Sequence, residues 1–182
     1  MSKSNTDDNK LSASGNSTVH TIRDQYSGAG LAMPVPRRAK DRMYRNFKHY
    51  MGTHAKDPLI VVKSDAAGEI TGAVHDLGWL SEPGIENKWP HNAIHERYQS
   101  TLKSVIRSAM GQSGFPTDAW DHAVAYSGVA LSITQHAPLY THEKDAAGNV
   151  LPEFQHKVGK TCWEVLHNAT FSGPIQTFGR LC

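Results

Sequence analysis

Residues 94 to 110 contain neither glycine nor proline, and no other stretch limits the fold as strongly. Ile94, Tyr98, Leu102, Val105 and Ala109 recur at intervals of four and three, which puts them on one face of an α-helix. Pro90 stands just before the run, Asn92 is a good N-cap, and residues 111 to 116 carry the glycines and proline that end it. Glu96, Lys103 and Arg107 recur at seven and four and share a second, charged face. A helix of this kind is often only a solvated surface element. Its apolar stripe must still lie on a core that the rest of the chain supplies.

That core is within reach. A chain of 182 residues suits one domain, and 38% hydrophobic with 20% charged residues excludes a disordered bulk. No apolar run is long enough to span a bilayer, and residues 1 to 20 are too polar for a signal peptide. Two cysteines, Cys162 and Cys182, make neither a disulfide framework nor a four-cysteine zinc site. The expected setting is intracellular and reducing, nucleus or cytoplasm, with no membrane partner.

Net charge is only +2, but Arg37, Arg38, Lys40, Arg42, Arg45 and Lys48 stand against a single acid, Asp41. Such a cluster is either a solvated helix face or a surface for a polyanion.

In chain order, residues 1 to 18 are too polar to offset ordering entropy and read as a disordered or truncated segment. Val19-His20-Thr21-Ile22 and residues 31 to 35 read as two strands, joined into a hairpin by Asp24-Gln25-Tyr26-Ser27-Gly28. Residues 39 to 51 read as an amphipathic helix ended at Gly52. Pro58-Leu59-Ile60-Val61-Val62-Lys63-Ser64-Asp65 is a short apolar run that stops at an acid, the pattern of a buried strand in an α/β sheet. Residues 71 to 80 read as a short helix and 84 to 90 as a short edge strand. A second helix runs from Asp118 to about Ile133 with Trp120, Val124, Ser127 and Leu131 along one side. Residues 136 to 159 read as an exposed loop, 161 to 167 as a short helix, and 175 to 179 as a strand-like end.

Asp65 follows a strand and Glu96 opens a helix. In open α/β sheets ligands gather at the carboxyl ends of strands, although an aspartate there also serves as a cap or turn former. Two carboxylates brought together across such a contact form a hard-oxygen site for Mg²⁺ or Mn²⁺. A third would allow two ions about 3.5–4 Å apart, the arrangement that stabilises both oxygens of a phosphodiester displacement.

The motifs around these residues resemble the integrase catalytic core of copia-type long-terminal-repeat retrotransposons, within the RNase H-like DDE superfamily. Ser64-Asp65-Ala66-Ala67-Gly68-Glu69-Ile70 resembles S-D-N-G-G-E-[FY], and Asn92-Ala93-Ile94-His95-Glu96-Arg97 resembles N-G-x-x-E-R. Gly84-Ile85 resembles the G-I of the family, and Asp24-Gln25-Tyr26-Ser27 its D-x-[FY]-[ST] hairpin. Phe115-Pro116 with Trp120-Asp121-His122-Ala123-Val124 resembles L-P-x-x-x-W-x-x-A-V. Lys160-Thr161-Cys162-Trp163-Glu164 and Phe178-Gly179 resemble K-T-P-Y-E and V-F-G.

The resemblance implies an α/β, RNase H-like mixed sheet flanked by helices, with a core at 19–134 and a loop-rich extension at 135–182. It implies Asp65 as the second catalytic aspartate and Glu96 as the catalytic glutamate, together holding two Mg²⁺ or Mn²⁺ ions. Lys103, Arg107 and Arg97 would contact DNA, both element ends and target, in a homo-oligomer. The reaction would be cleavage at the element's end and strand transfer.

Two departures qualify this. The family's first aspartate ends a strand in a D-x-x-G-P-like setting; here Asp8 is the nearest candidate, with no apolar strand ahead of it. Asp24 matches the hairpin motif instead. Ala66-Ala67 and Ala93 stand where the family has Asn-Gly and Gly. The chain therefore reads as a polyprotein fragment with its first strand missing or degenerate, and a catalytically dead RNase H-like nucleic-acid-binding fragment is the alternative. A zinc site from His91 and His95 is a further rival, with Glu96 in the wrong order for a metalloprotease.

Overall fold

The computed structural model describes residues 11–65, 67–84 and 93–180. A hairpin forms its middle layer. β1 (Thr18–Arg23) pairs antiparallel with β2 (Gly30–Val35), Thr21 opposite Ala32 and Arg23 opposite Gly30. Asp24 shapes the turn: its carboxylate accepts the amide N–H groups of Tyr26 and Ser27 and the Ser27 hydroxyl. Gly28 completes it at φ 78°, a conformation that glycine takes without strain.

Successive side chains of a strand point to opposite faces, so β1 has two sets of neighbours. His20 and Ile22 face α1 (Lys40–Met51), where Asn46 Nδ2 lies 2.9 Å from His20 Nδ1. Val19, Thr21 and Arg23 face α3 (Ala93–Ser113) and α4 (Trp120–Thr134). The α4 helix lies hard against β2. A Cβ on Gly128 would come within 2.7 Å of the Ala32 backbone nitrogen. Ser132 Oγ accepts the Gly30 N–H at 2.9 Å and donates to the Gly30 carbonyl at 2.8 Å.

Beside the hairpin, β3 (Val61–Ser64) and β4 (Leu80–Pro83) pair in parallel, joined through α2 (Gly68–Asp76). Parallel neighbours need such a crossover. Met43, Phe47, Ala55, Ala73, Val74 and Trp79 are buried together, and Ile22, Ile60 and Val62 pack on them. Trp79 meets Phe47 edge-on and donates its Nε1–H to the Ala55 carbonyl at 3.1 Å. A second core joins Ala32, Tyr98, Leu102, Val124 and Leu131. The result is the expected α/β arrangement of antiparallel and parallel strands flanked by helices. Its strands form two separate pairs, and among the described residues no backbone hydrogen bond joins β1 to β3 and no strand precedes Thr18.

Several local expectations need correction. The strand after α2 is Leu80–Pro83, where the sequence predicts a helix running on to Leu80; of the expected edge strand at 84–90, Gly84 is not in a strand and residues 85–90 lie outside the described residues. Leu80-Ser81-Glu82-Pro83 has a single aliphatic side chain and ends in proline, so it carries almost no strand signal; backbone pairing with β3 decides it. Residues 175 to 179 form no strand; Phe178 instead packs its ring against Phe115 and Tyr126. Residues 11–17, expected to be disordered, are anchored. Ser12 Oγ and Asn16 Nδ2 both donate to the buried Asp121 carboxylate, at 2.8 and 2.9 Å. A buried carboxylate needs such donors, and the polar segment supplies them. The 136-to-159 loop is mostly exposed, yet Glu143 and Lys157 within it are buried. It leads into α5 (Cys162–His167), capped reciprocally by Thr161 and Glu164.

Candidate active site

The first turn of α3 is fastened to β1 from three directions. Thr21 Oγ1 and His95 Nε2 are 2.9 Å apart. Gln99 Nε2 donates to the same Thr21 oxygen at 3.2 Å. Arg23 donates to the Ile94 carbonyl at 3.1 Å, and its guanidinium lies 5.3 Å from the centre of the buried Tyr98 ring. Alternation on the strand and helical spacing on α3 produce this seam, since Thr21 and Arg23 share one strand face while His95 and Gln99 are neighbours on one helix face. The seam turns Glu96 outward.

Asp65 is the residue after β3 and is exposed. Neither it nor Glu96 forms an ion pair or carboxylate hydrogen bond among the described residues. Both act on His95. Burial pushes the His95 pKa below its ordinary value and the Arg23 charge pushes the same way, while Asp65 and Glu96 oppose them. The net direction is downward, so the imidazole is neutral at pH 7. Burial also raises the Tyr98 hydroxyl to about 12.

Asp65 at the end of a parallel strand and Glu96 at the start of a helix thus both bear on one imidazole through their charge. They are hard oxygen donors without a cationic partner among the described residues, a chemistry that suits Mg²⁺ or Mn²⁺ better than a soft metal. Among the described residues no group of three His, Cys, Asp or Glu side chains converges. Asp8 and His91 lie outside the described residues. Asp24 is committed to the hairpin turn.

Lys103 and Arg107 are exposed on α3. At 3.6 residues per turn they lie within about 20° of the Glu96 direction, roughly 10 and 16 Å along the axis. Arg97, also exposed, is turned about 100° away. Sequence reasoning misses Thr21, Arg23 and Gln99 as site residues. The alternation of β1 is the available signal, but which helix its odd face meets is a tertiary fact. A hollow of about 220 Å³ lined by Gly30, Tyr50, Trp163 and His167 touches none of the expected site residues.

No protein-family model matches the chain, and no curated protein does. Solved structures match it in fold. One is a chain of the simian T-cell lymphotropic virus intasome, determined in complex with the PP2A regulatory subunit B56 gamma. It is 20% identical with a TM-score of 0.55, and the match covers 87% of this chain and 50% of that one. Another is the HTLV-2 integrase catalytic core domain in complex with magnesium, in its dimeric form. It is 15% identical with a TM-score of 0.52, and the match covers 82% of this chain and 83% of that one. No helix among the described residues is long and apolar enough to cross a membrane. The chain has the RNase H-like α/β fold of a retroviral integrase catalytic core.

Proposed function

We propose that this chain is the catalytic core, or part of it, of a copia-type retrotransposon integrase, a DDE polynucleotidyl transferase from a Pol polyprotein. The feature that carries the reading is the placement of Asp65 at the end of β3 and of Glu96 in the first turn of α3, where the charge of each bears on His95. Motif order and the integrase-like fold support it. Asp65 and Glu96 would hold Mg²⁺ or Mn²⁺, with Asp8 the candidate for the third carboxylate of a two-ion site. A bound divalent ion neutralises charge at the phosphate oxygens and lowers the pKa of an attacking water. The chain's own part is positional. The Thr21–His95–Gln99 seam holds Glu96 toward solvent, and Lys103 and Arg107 continue the same line as contacts for DNA phosphates. Element ends and target DNA are the proposed partners, in a homo-oligomer.

The test is strand transfer between oligonucleotides with Mn²⁺, with Glu96→Gln and Asp65→Asn beside the unchanged chain. Product from the unchanged chain and none from either variant supports the reading. Equal product from all three rules it out.

A second reading is favoured by one observation: no third carboxylate joins the pair among the described residues. In it the chain binds nucleic acid without cutting it. Salt-dependent DNA binding by the unchanged chain, with no product at any divalent ion concentration, would select it.

A further inference from the structure

The α1 helix buries its apolar stripe, Met43 and Phe47, in the core and turns Arg42, Arg45, Lys48 and His49 to solvent. Arg37 and Arg38 precede it on the exposed bend after β2. Of the six cations between 37 and 48, Lys40 is engaged by Asp76 at 2.8 Å. Arg42 approaches Asp41 only to 3.9 Å. Arg37, Arg38, Arg45 and Lys48 form no ion pair among the described residues. A bare charge surplus at one place destabilises a fold by self-repulsion unless a counter-charge visits it.

The geometry of the surplus is regular. Arg42, Arg45 and Lys48 follow at three-residue steps, about 4.5 Å apart along the axis and each turned about 60° from the last, so they make a winding ridge about 9 Å long. Successive phosphates of one duplex strand rise about 3.4 Å along the helix axis, and a ridge of this length reaches two or three of them. The ridge is also on the far side of the hairpin from α3, which carries Glu96. His20 and Ile22 of β1 point to α1, and Thr21 and Arg23 of the same strand point to α3.

We propose that the exposed face of α1, with Arg37 and Arg38, is a nucleic-acid backbone-binding surface separate from the Glu96 face of α3. A membrane is the other common anionic partner for a basic helix. Binding in a lipid interface needs the apolar face of the helix to be free. Here that face is the core, and no exposed apolar side chain stands among the cations of α1. The surface reads no sequence: arginine and lysine contacts to phosphate give position and affinity, not base discrimination.

The experiment compares the whole chain with the triple variant Arg42→Gln, Arg45→Gln, Lys48→Gln. A fluorescein-labelled DNA duplex is titrated by anisotropy across a salt series in EDTA, and thermal unfolding is measured alongside. With an unchanged melting curve, the expected result is about tenfold or more weaker binding at low salt. The log-affinity against log-salt slope should flatten by about 0.9 for each phosphate that the ridge no longer neutralises. An unchanged affinity and slope overturn the proposal. So does co-sedimentation with phosphatidylserine vesicles that the variant abolishes while DNA binding stays the same. If the triple variant fails to fold, Arg45→Gln with Lys48→Gln gives the same readout on a smaller change. No divalent ion and no strand transfer enter the measurement, so its result is independent of the catalytic reading.

Discussion

Lys157 Nζ stands 2.6 Å from Glu143 Oε1, and both side chains are buried. The rings of Tyr26 and Tyr140 lie 4.6 and 5.6 Å from the ammonium, so its charge meets a carboxylate and two π-faces. The Glu143 carboxylate also accepts the Tyr140 amide, and the Tyr140 hydroxyl donates to the Gln25 carbonyl in the hairpin turn. Burial works against the ionised Glu143, but the bonds from Lys157 and Tyr140 and the lysine charge prevail, so its pKa is lowered. This pair ties the C-terminal loop to the hairpin.

Removing one partner leaves the other buried and unpaired. Lys157→Met should therefore cost about 3–5 kcal/mol in urea unfolding. The double variant Lys157→Met, Glu143→Leu should recover much of that loss, because two apolar side chains need no counter-charge. A single variant as stable as the parent would show that Glu143 finds another partner.

His20 gives the fold a dependence on mildly acid pH. It is buried, and among the described residues its Nε2 has no hydrogen-bond partner. Burial lowers its pKa and the Arg38 charge adds to that, while Glu69 opposes them. A histidine with a folded pKa below about 6.5 contributes stability that is fully present above that value. The contribution is lost as pH falls from there through the folded pKa. Unfolding free energy should decline in that window, and His20→Gln should flatten the decline. An identical slope in both proteins would assign the effect to another group.

Asp121 acts at lower pH. Burial opposes its ionisation, but donors from Asn16, Ser12 and Ser14 bring its pKa to about 2. Stability from this group is present above about 4 and is lost as pH falls through about 2. Ser12→Ala should cost about 1–2 kcal/mol at neutral pH and weaken the acid dependence. Unchanged acid titration of the melting temperature would contradict this.

Gly128 is a packing requirement, since an added methyl would press on the Ala32 backbone as well as its side chain. Gly128→Ala should destabilise by about 1–3 kcal/mol, against the usual gain in helix propensity from that exchange. A stabilised variant would mean that α4 can move off β2.

Lys103 and Arg107 separate binding from chemistry. Replacing both by Gln should weaken DNA binding and lower the salt slope by about one for each phosphate involved. Glu96→Gln should leave that slope unchanged. A loss of slope in Glu96→Gln alone would place the carboxylate, not the cations, in the binding step.

Much of this is legible in the sequence. The stripe Tyr98, Leu102, Ala109 is buried as its spacing requires, and Glu96, Lys103 and Arg107 are exposed on the other face. Asp24 announces its turn, and residues 161 to 167 read as the short helix that forms at Cys162–His167. What cannot be read are pairings between distant residues. Nothing in Ser12-Ala13-Ser14 marks a ligand set for a carboxylate more than a hundred residues away. Nothing in the polar 136-to-159 stretch marks Glu143 and Lys157 as buried partners, because burial of a charge depends on a counter-charge that only the fold supplies.

The two strand pairs have a further consequence for Asp65 and Glu96. Asp65 extends from β3, whereas Glu96 rides on a helix bonded to β1, and no ladder of backbone bonds spans from one pair to the other among the described residues. Their spacing is transmitted through side-chain volume instead, by Ile22 and Val62 seated on Met43, Phe47 and Trp79. Two rigid pieces aligned by a packed filling respond to the thickness of that filling. Trimming Phe47 to leucine, remote from either carboxylate, is in these terms an adjustment of the calliper that sets how far apart they stand.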